Sequence, residues 1–178
     1  MVRIRRDMMN NPYSQFLQEI IEIILIVFAL SWLLKTYLIG FAHLEGAEMM
    51  PSLSLDSQVL VEKYFYRSID ALDRGDVILY SDNGVESIKR VIGLPGEKVE
   101  IKNGYTYINS KPIYEPYANT PKTYTFSTVV VPEDHVFTLN DNRASKNDSR
   151  SFGSVPVQSI EGKALFCYWP LSSVQILL

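Results

Sequence analysis

From Phe16 to Phe41 the chain reads FLQEIIEIILIVFALSWLLKTYLIGF, and the stretch from Ile23 to Leu34 inside it carries no charge. A hydrocarbon core of about 30 Å is crossed by about 20 helical residues rising about 1.5 Å each, so Ile20 to Ile39 is long enough to span it. Glu22 and Lys35 lie near the two ends, where charged heads reach the interfaces, and Trp32 and Tyr37 suit an aromatic belt. The run predicts a transmembrane helix over residues 16–41 behind a short segment, 1–15. Arg3, Arg5 and Arg6 precede the span, and the positive-inside bias then keeps the N-terminus cytoplasmic and carries everything after Gly40 across the membrane. Two other readings compete: a cleaved signal peptide and a buried helix of a soluble protein. The apolar core of a signal peptide usually runs to about 7 to 15 residues and ends in a small-residue cleavage motif, and neither feature fits this run. Glu19 and Glu22, one turn apart, are the residues that suit a span least.

Beyond residue 50 the pattern changes to two-residue alternation in short β-rich runs. QVLVEKY from Gln58, DVILYS from Asp76, VESIKRVI from Val85, EKVEIK from Glu97, YTYIN from Tyr105, HVFTL from His135 and KALFCYW from Lys163 all read as strands. DNG at 82–84 and NG at 103–104 fall between such runs, where asparagine and glycine take the positive φ angles of tight hairpins. The proline-dotted region 112–132 reads as an exposed excursion with an edge strand. The expectation is a mainly β domain of antiparallel sheets over 42–178, which suits 178 residues holding one anchor and one compact domain.

Several function classes fall away on charge and residue type. A net charge of −3 gives no broad basic field, so nucleic acid is not an expected partner. Cys167 is the only cysteine and lies in an apolar run, which excludes an intramolecular disulfide and suits a buried, inert thiol. His43 and His135 stand apart with no clustered cysteine or carboxylate around them, so no metal and no cofactor is expected. Asp56, Asp70, Asp73 and Asp76 read as solvated turn carboxylates.

Four segments remain in fixed order: GAEMMPSL at 46, RGDVI at 74, KRVIGLPG at 89 and NDNRASKNDSR at 140. Together, behind an anchor of this orientation, they resemble the type I signal peptidases, membrane-anchored serine proteases with a Ser/Lys dyad; the small size is similar to Gram-positive members. The resemblance implies a signal-peptidase-like β domain. In that family the first segment reads roughly Gly-x-Ser-Met-x-Pro-Thr-Leu, and its serine attacks the scissile carbonyl. Here Gly46, Met49, Pro51 and Leu53 match, Ser52 replaces the threonine, and Glu48 stands at the nucleophile position. Lys89 falls at the position of the general base, which desolvation keeps neutral so that it accepts the serine proton. The last segment departs twice more, with Asn140 at a glycine position and Lys146 at a serine position.

Carried over, the resemblance pairs Arg90 with Asp141 and Asp148 with Arg150. It also sets Met49, Met50 and Pro51 beside a substrate or partner groove, next to membrane lipid. Ser52 lies beyond the Met-x-Pro turn and would need that turn rebuilt to approach Lys89. Glu48 and Lys89 are expected to form an ion pair, with Lys146 a candidate third member. The expectation is a non-catalytic relative of these enzymes that binds an extended peptide or a secreted protein such as a pilin; the alternative is an active signal peptidase. Read without the resemblance, Glu48 is an exposed loop carboxylate, Lys89 a solvated strand lysine, and Met49 and Met50 ordinary core filling.

Overall fold

The computed structural model describes residues 12–63, 71–82, 84–119 and 124–177, and divides the chain into two compact units between Leu38 and Ile39. The first unit contains helix α1, Pro12–Tyr37. Its segment Tyr13–Tyr37 has a mean hydropathy of 2.1 and buries none of its residues against protein, so it is long and apolar enough to cross a membrane. Thr36, a polar residue in this setting, turns its hydroxyl back to the Trp32 carbonyl at 2.8 Å. Arg3, Arg5 and Arg6 lie outside the described residues.

The helix starts before Phe16 and stops before Phe41. Ile39–His43 is instead strand β1, paired antiparallel with β2, Gln58–Glu62. Ile39 and Phe41 prolong the hydropathy of the anchor, and only pairing with β2 separates them from it. The boundary expected at Phe41 therefore moves to Tyr37.

The second unit is all antiparallel sheet apart from short helical turns. Its remaining strands are β3 (Val77–Asp82), β4 (Val85–Gly93), β5 (Lys98–Lys102), β6 (Tyr105–Ile108), β7 (Lys111–Pro112), β8 (Phe126–Val130), β9 (His135–Leu139), β10 (Val155–Pro156), β11 (Ile160–Trp169) and β12 (Gln175–Ile176), with helix α2, Ser149–Phe152, after β9. The larger sheet runs β1-β2-β11-β3-β4-β9-β10, with β12 on β11; the smaller runs β7-β6-β5-β8. All seven sequence-read strands form. The edge strand expected between 112 and 132 is β8.

Alternation explains the packing. In β2, Val59 and Val61 point inward and are fully buried, meeting Val77, Leu79, Ala164 and Cys167 in one cluster. In β5, Val99 and Ile101 face Phe137 and Leu139 in another. From Ile88 to Gly93, β4 is buried at every residue; β3 pairs with it as far as Arg90, and β9 pairs with its other edge from Arg90 onward. The turn at Asn103 and Gly104 has φ of 50° and 81°, the pair of positive angles that a tight hairpin between β5 and β6 requires. Asn83 of the other expected turn, and Asp70, lie outside the described residues.

One carboxylate departs from its expected place. Asp76 is buried rather than solvated: its Oδ1 meets Lys163 Nζ at 2.7 Å and its Oδ2 accepts the Asp73 amide at 2.9 Å. It closes the turn into β3, where a buried carboxylate persists because both oxygens are engaged.

Candidate active site

Residues 44–57 form the turn between β1 and β2, and two apolar side chains hold it down. Met49 and Leu53 are both fully buried in the cluster beneath β2, and the Leu53 amide donates to the Met49 carbonyl at 2.8 Å. Met49 is therefore a core anchor and no groove residue, since its side chain points into the sheet while Met50 and Pro51 stay exposed. From the far side, Asn142 stitches the turn. Its amide donates to the Glu48 carbonyl at 2.9 Å and its side chain to the Ala47 carbonyl at 3.2 Å.

The turn delivers Glu48 to Lys89. Lys89 sits on β4 opposite Ile78, is fully buried, and donates from Nζ to Glu48 Oε2. The other carboxylate oxygen accepts Asn147 Nδ2 at 2.9 Å. Asn140 secures the loop that carries Asn147, donating from Nδ2 to the carbonyls of Ser145 and Asn147 at 3.4 and 3.3 Å. Ser52 points elsewhere: its hydroxyl faces the Arg90 guanidinium at 3.5 Å.

Lys146 takes no part in the Glu48–Lys89 pair. Its side chain is exposed and lays the ammonium over the Tyr124 ring, 5.6 Å from the centroid, an arrangement that keeps the charge solvated. The third member of the cluster is the neighbouring Asn147. Only its place in the last motif hinted at this, because a neutral amide gives no charge signal.

Three buried ion pairs brace these loops. Arg90 grips Asp141 with two parallel bonds of 2.8 and 2.6 Å, donates to the Gly75 carbonyl at 2.7 Å and stacks 4.1 Å over the Tyr117 ring. Burial first, then the charge of Glu115, pushes the Tyr117 hydroxyl well above the ordinary phenol range. Asp148 binds Arg150 Nε and Nη2 at 2.7 and 2.6 Å, and also accepts the Asn140 amide at 2.9 Å, so one carboxylate caps α2 and fixes the end of β9.

The third pair, Arg143 with Glu115 at 2.5 Å, was not legible in the sequence. Arg143 also donates to Thr106 Oγ1 at 3.1 Å and to the Asn140 carbonyl at 2.7 Å. Glu115 comes from the patternless proline-dotted region, which is tied to the site by bonds between Asn119 and residues 141 and 143. That region is therefore part of the site's scaffold.

Beside Glu48 opens a groove of about 570 Å³, lined from β1 by Phe41 and His43, from the turn by Glu45 and Glu48, and from β4 by Glu86 and Ser87. Asn147, which holds Glu48, lines it too. Chemically, position 48 presents no hydroxyl, and the lysine that faces it is engaged as a hydrogen-bond donor.

The chain thus joins an apolar helix long enough to cross a membrane to an antiparallel β unit in which a buried lysine meets a turn residue. The profile of the signal peptidase, peptidase S26 family matches residues 17–169, and this chain belongs to that family. It is 34% identical to a probable signal peptidase I-1 of Synechocystis, over 93% of this chain and 90% of that one. A signal peptidase I of Bacillus caldolyticus is 37% identical over 77% of this chain and 83% of its own, and signal peptidase I S of Bacillus subtilis 31% over 93% and 96%. The apolar helix and these relatives together support membrane anchoring.

Proposed function

We propose that this chain is a non-catalytic signal peptidase homologue that uses its groove to bind an extended segment of a secreted protein, such as a pilin-type subunit during assembly. The observation that carries the reading is the engagement of Glu48 by Lys89 and Asn147. A serine peptidase needs a hydroxyl to attack the carbonyl and a free lysine lone pair to take its proton. Here the attacking atom is absent and the lysine donates. An acyl-enzyme has no route. The groove and the strand edges beside it do not depend on that chemistry, and strand addition needs no catalytic residue.

The three arginines before the anchor support a cytoplasmic N-terminus and an extracytoplasmic β unit, where secreted proteins emerge. The alternative, an active signal peptidase, draws on the names of the relatives. Incubation of the purified full chain with a preprotein in detergent, beside an active relative as control, separates the two. No cleavage and no adduct with a serine-directed acylating inhibitor is the expected outcome. Turnover above background that Lys89→Met abolishes would restore the peptidase.

A further inference from the structure

Two carboxylates on the groove wall have no place in the dyad. Glu45, on the turn, and Glu86, on β4, both line the groove, are both exposed, and have no ion-pair partner among the described residues. Glu48, the third carboxylate of the lining, is already paired with Lys89. Among the described residues the lining carries no lysine or arginine, and its histidine, His43, faces Asp56 at 3.7 Å. The wall thus keeps two uncompensated negative charges. They do not form a cation cage, since no group of three metal-ligating side chains converges among the described residues.

The backbone around these charges is a docking edge. Val85–Ile88 pairs with β3 along one side, while β9 starts to pair with β4 only at Arg90, so the second side of Val85–Ile88 has no strand beside it among the described residues. Across the groove, β1 is the end strand of the large sheet. An extended peptide satisfies such an edge by strand addition, presenting alternate side chains to the walls. Apolar contact is supplied by the exposed Phe41, and charge by Glu45 and Glu86.

We propose that the groove selects an extended peptide bearing a lysine or arginine, held between Glu45 and Glu86 while its backbone pairs with Val85–Ile88. The proposal rests on the groove-binding reading above. Its occupant follows from charge complementarity: a basic side chain gains two partners here, an acidic one meets like charge, and a small apolar one gains neither.

The test uses the full chain in an uncharged detergent with two short fluorescein-labelled peptides of alternating threonine and alanine, one with a central lysine and its twin with norleucine there. Fluorescence anisotropy is expected to give about three- to tenfold tighter binding of the lysine peptide at low salt, the range that two exposed ion pairs supply. High salt and the double substitution Glu45→Gln with Glu86→Gln should each abolish that preference, bringing the lysine peptide to the affinity of its norleucine twin on the same protein in the same buffer. Both glutamates are exposed, so the double variant is expected to keep the parent's melting profile. Equal binding of the two peptides overturns the basic preference and leaves the groove reading standing. A preference that survives the double substitution overturns the assignment to these carboxylates. Binding of neither peptide overturns the groove reading itself.

Discussion

Glu48 holds two donors at once, the fully buried ammonium of Lys89 on one oxygen and the Asn147 side chain on the other at 2.9 Å. The carboxylate itself is only partly covered, with 28% of its side chain exposed, so the buried partner is the one at risk. Removing Glu48 leaves an ammonium in the core without its counter-charge. Removing both leaves none.

The first prediction follows from that asymmetry. Glu48→Gln should destabilise the β unit by about 3 kcal/mol, the lower end for a broken buried pair because Glu48 is partly solvated. Lys89→Met on top of it should recover much of the loss, since a methionine of similar length fills the same space without a charge. Urea unfolding of the full chain in detergent, followed by Trp169 fluorescence, measures the cycle. Strictly additive changes would mean that the two side chains do not interact.

A second prediction concerns Arg90, whose planar fork meets both oxygens of Asp141 and also reaches Gly75 and the Tyr117 ring. Lysine keeps the charge but not the fork. Arg90→Lys should cost about 1.5 to 3 kcal/mol, the scale of a hydrogen bond to a charged group, despite its unchanged charge. If the melting curve of Arg90→Lys overlays that of the parent, the geometry of the pair contributes nothing beyond its charge.

Acid stability gives a third. Burial alone would raise the Glu97 carboxyl, but the Arg74 hydrogen bonds of 2.6 and 2.9 Å, the Leu94 amide at 2.7 Å and the Arg74 charge outweigh it and hold the group below its usual range. A folded value below the unfolded one stabilises the native state fully above the unfolded value of about 4.3, and that stability is lost as pH falls through the folded value. The parent should therefore lose more stability than Glu97→Gln between about pH 6 and about pH 3. Matching slopes for the two proteins would remove Glu97 from the account.

What could be read beforehand, and what could not, divides by the range of the interaction. Seven strands, the hairpin at Asn103 and the anchor all come from periodicity and turn chemistry within a few neighbours. The pairs Arg90–Asp141 and Glu48–Lys89 span 51 and 41 positions and were reached only through the motif pattern. Where the pattern says nothing, the sequence is mute: Asn147 meets Glu48 across 99 positions, and Arg143 finds Glu115 in a region without alternation. Met49 was misplaced for a related reason. A methionine in a turn carries no periodicity, so neither burial nor exposure can be read from it. Lys146 was set beside the dyad by its motif position alone, although an exposed ammonium next to an aromatic face needs no carboxylate.

Asn140 offers a fourth prediction. Its Nδ2 ties the loop that presents Asn147, while its Oδ1 is buried with no partner among the described residues. Asn140→Gly removes both the tie and the unpaired acceptor, so the net stability change should be small, within about 1 kcal/mol. The loop should nevertheless loosen. Amide hydrogen exchange over 145–147 is expected to quicken relative to the parent while β9 exchanges as before; unchanged protection of that loop would assign its order to Arg150 instead, which donates to the Arg143 carbonyl at 2.9 Å.

The last prediction puts the missing atom back. Lys89 is buried, rests on a central strand and aims its Nζ at the residue in position 48, the placement that the base of a Ser/Lys dyad would need. Glu48→Ser removes the carboxylate that occupies that ammonium and supplies a hydroxyl on a turn held by Met49, Leu53 and Asn142. This variant should cleave a preprotein detectably where the parent does not, and should form a mass-detectable adduct with a serine-directed acylating inhibitor. Lys89→Met in the Glu48→Ser background should lower the rate by about 10²- to 10⁴-fold, the contribution of a general base. Should the serine variant remain inert while folding normally, the barrier to catalysis lies beyond residue 48, with Asn140 and Lys146, the other two departures from the family pattern, as the positions to revert next.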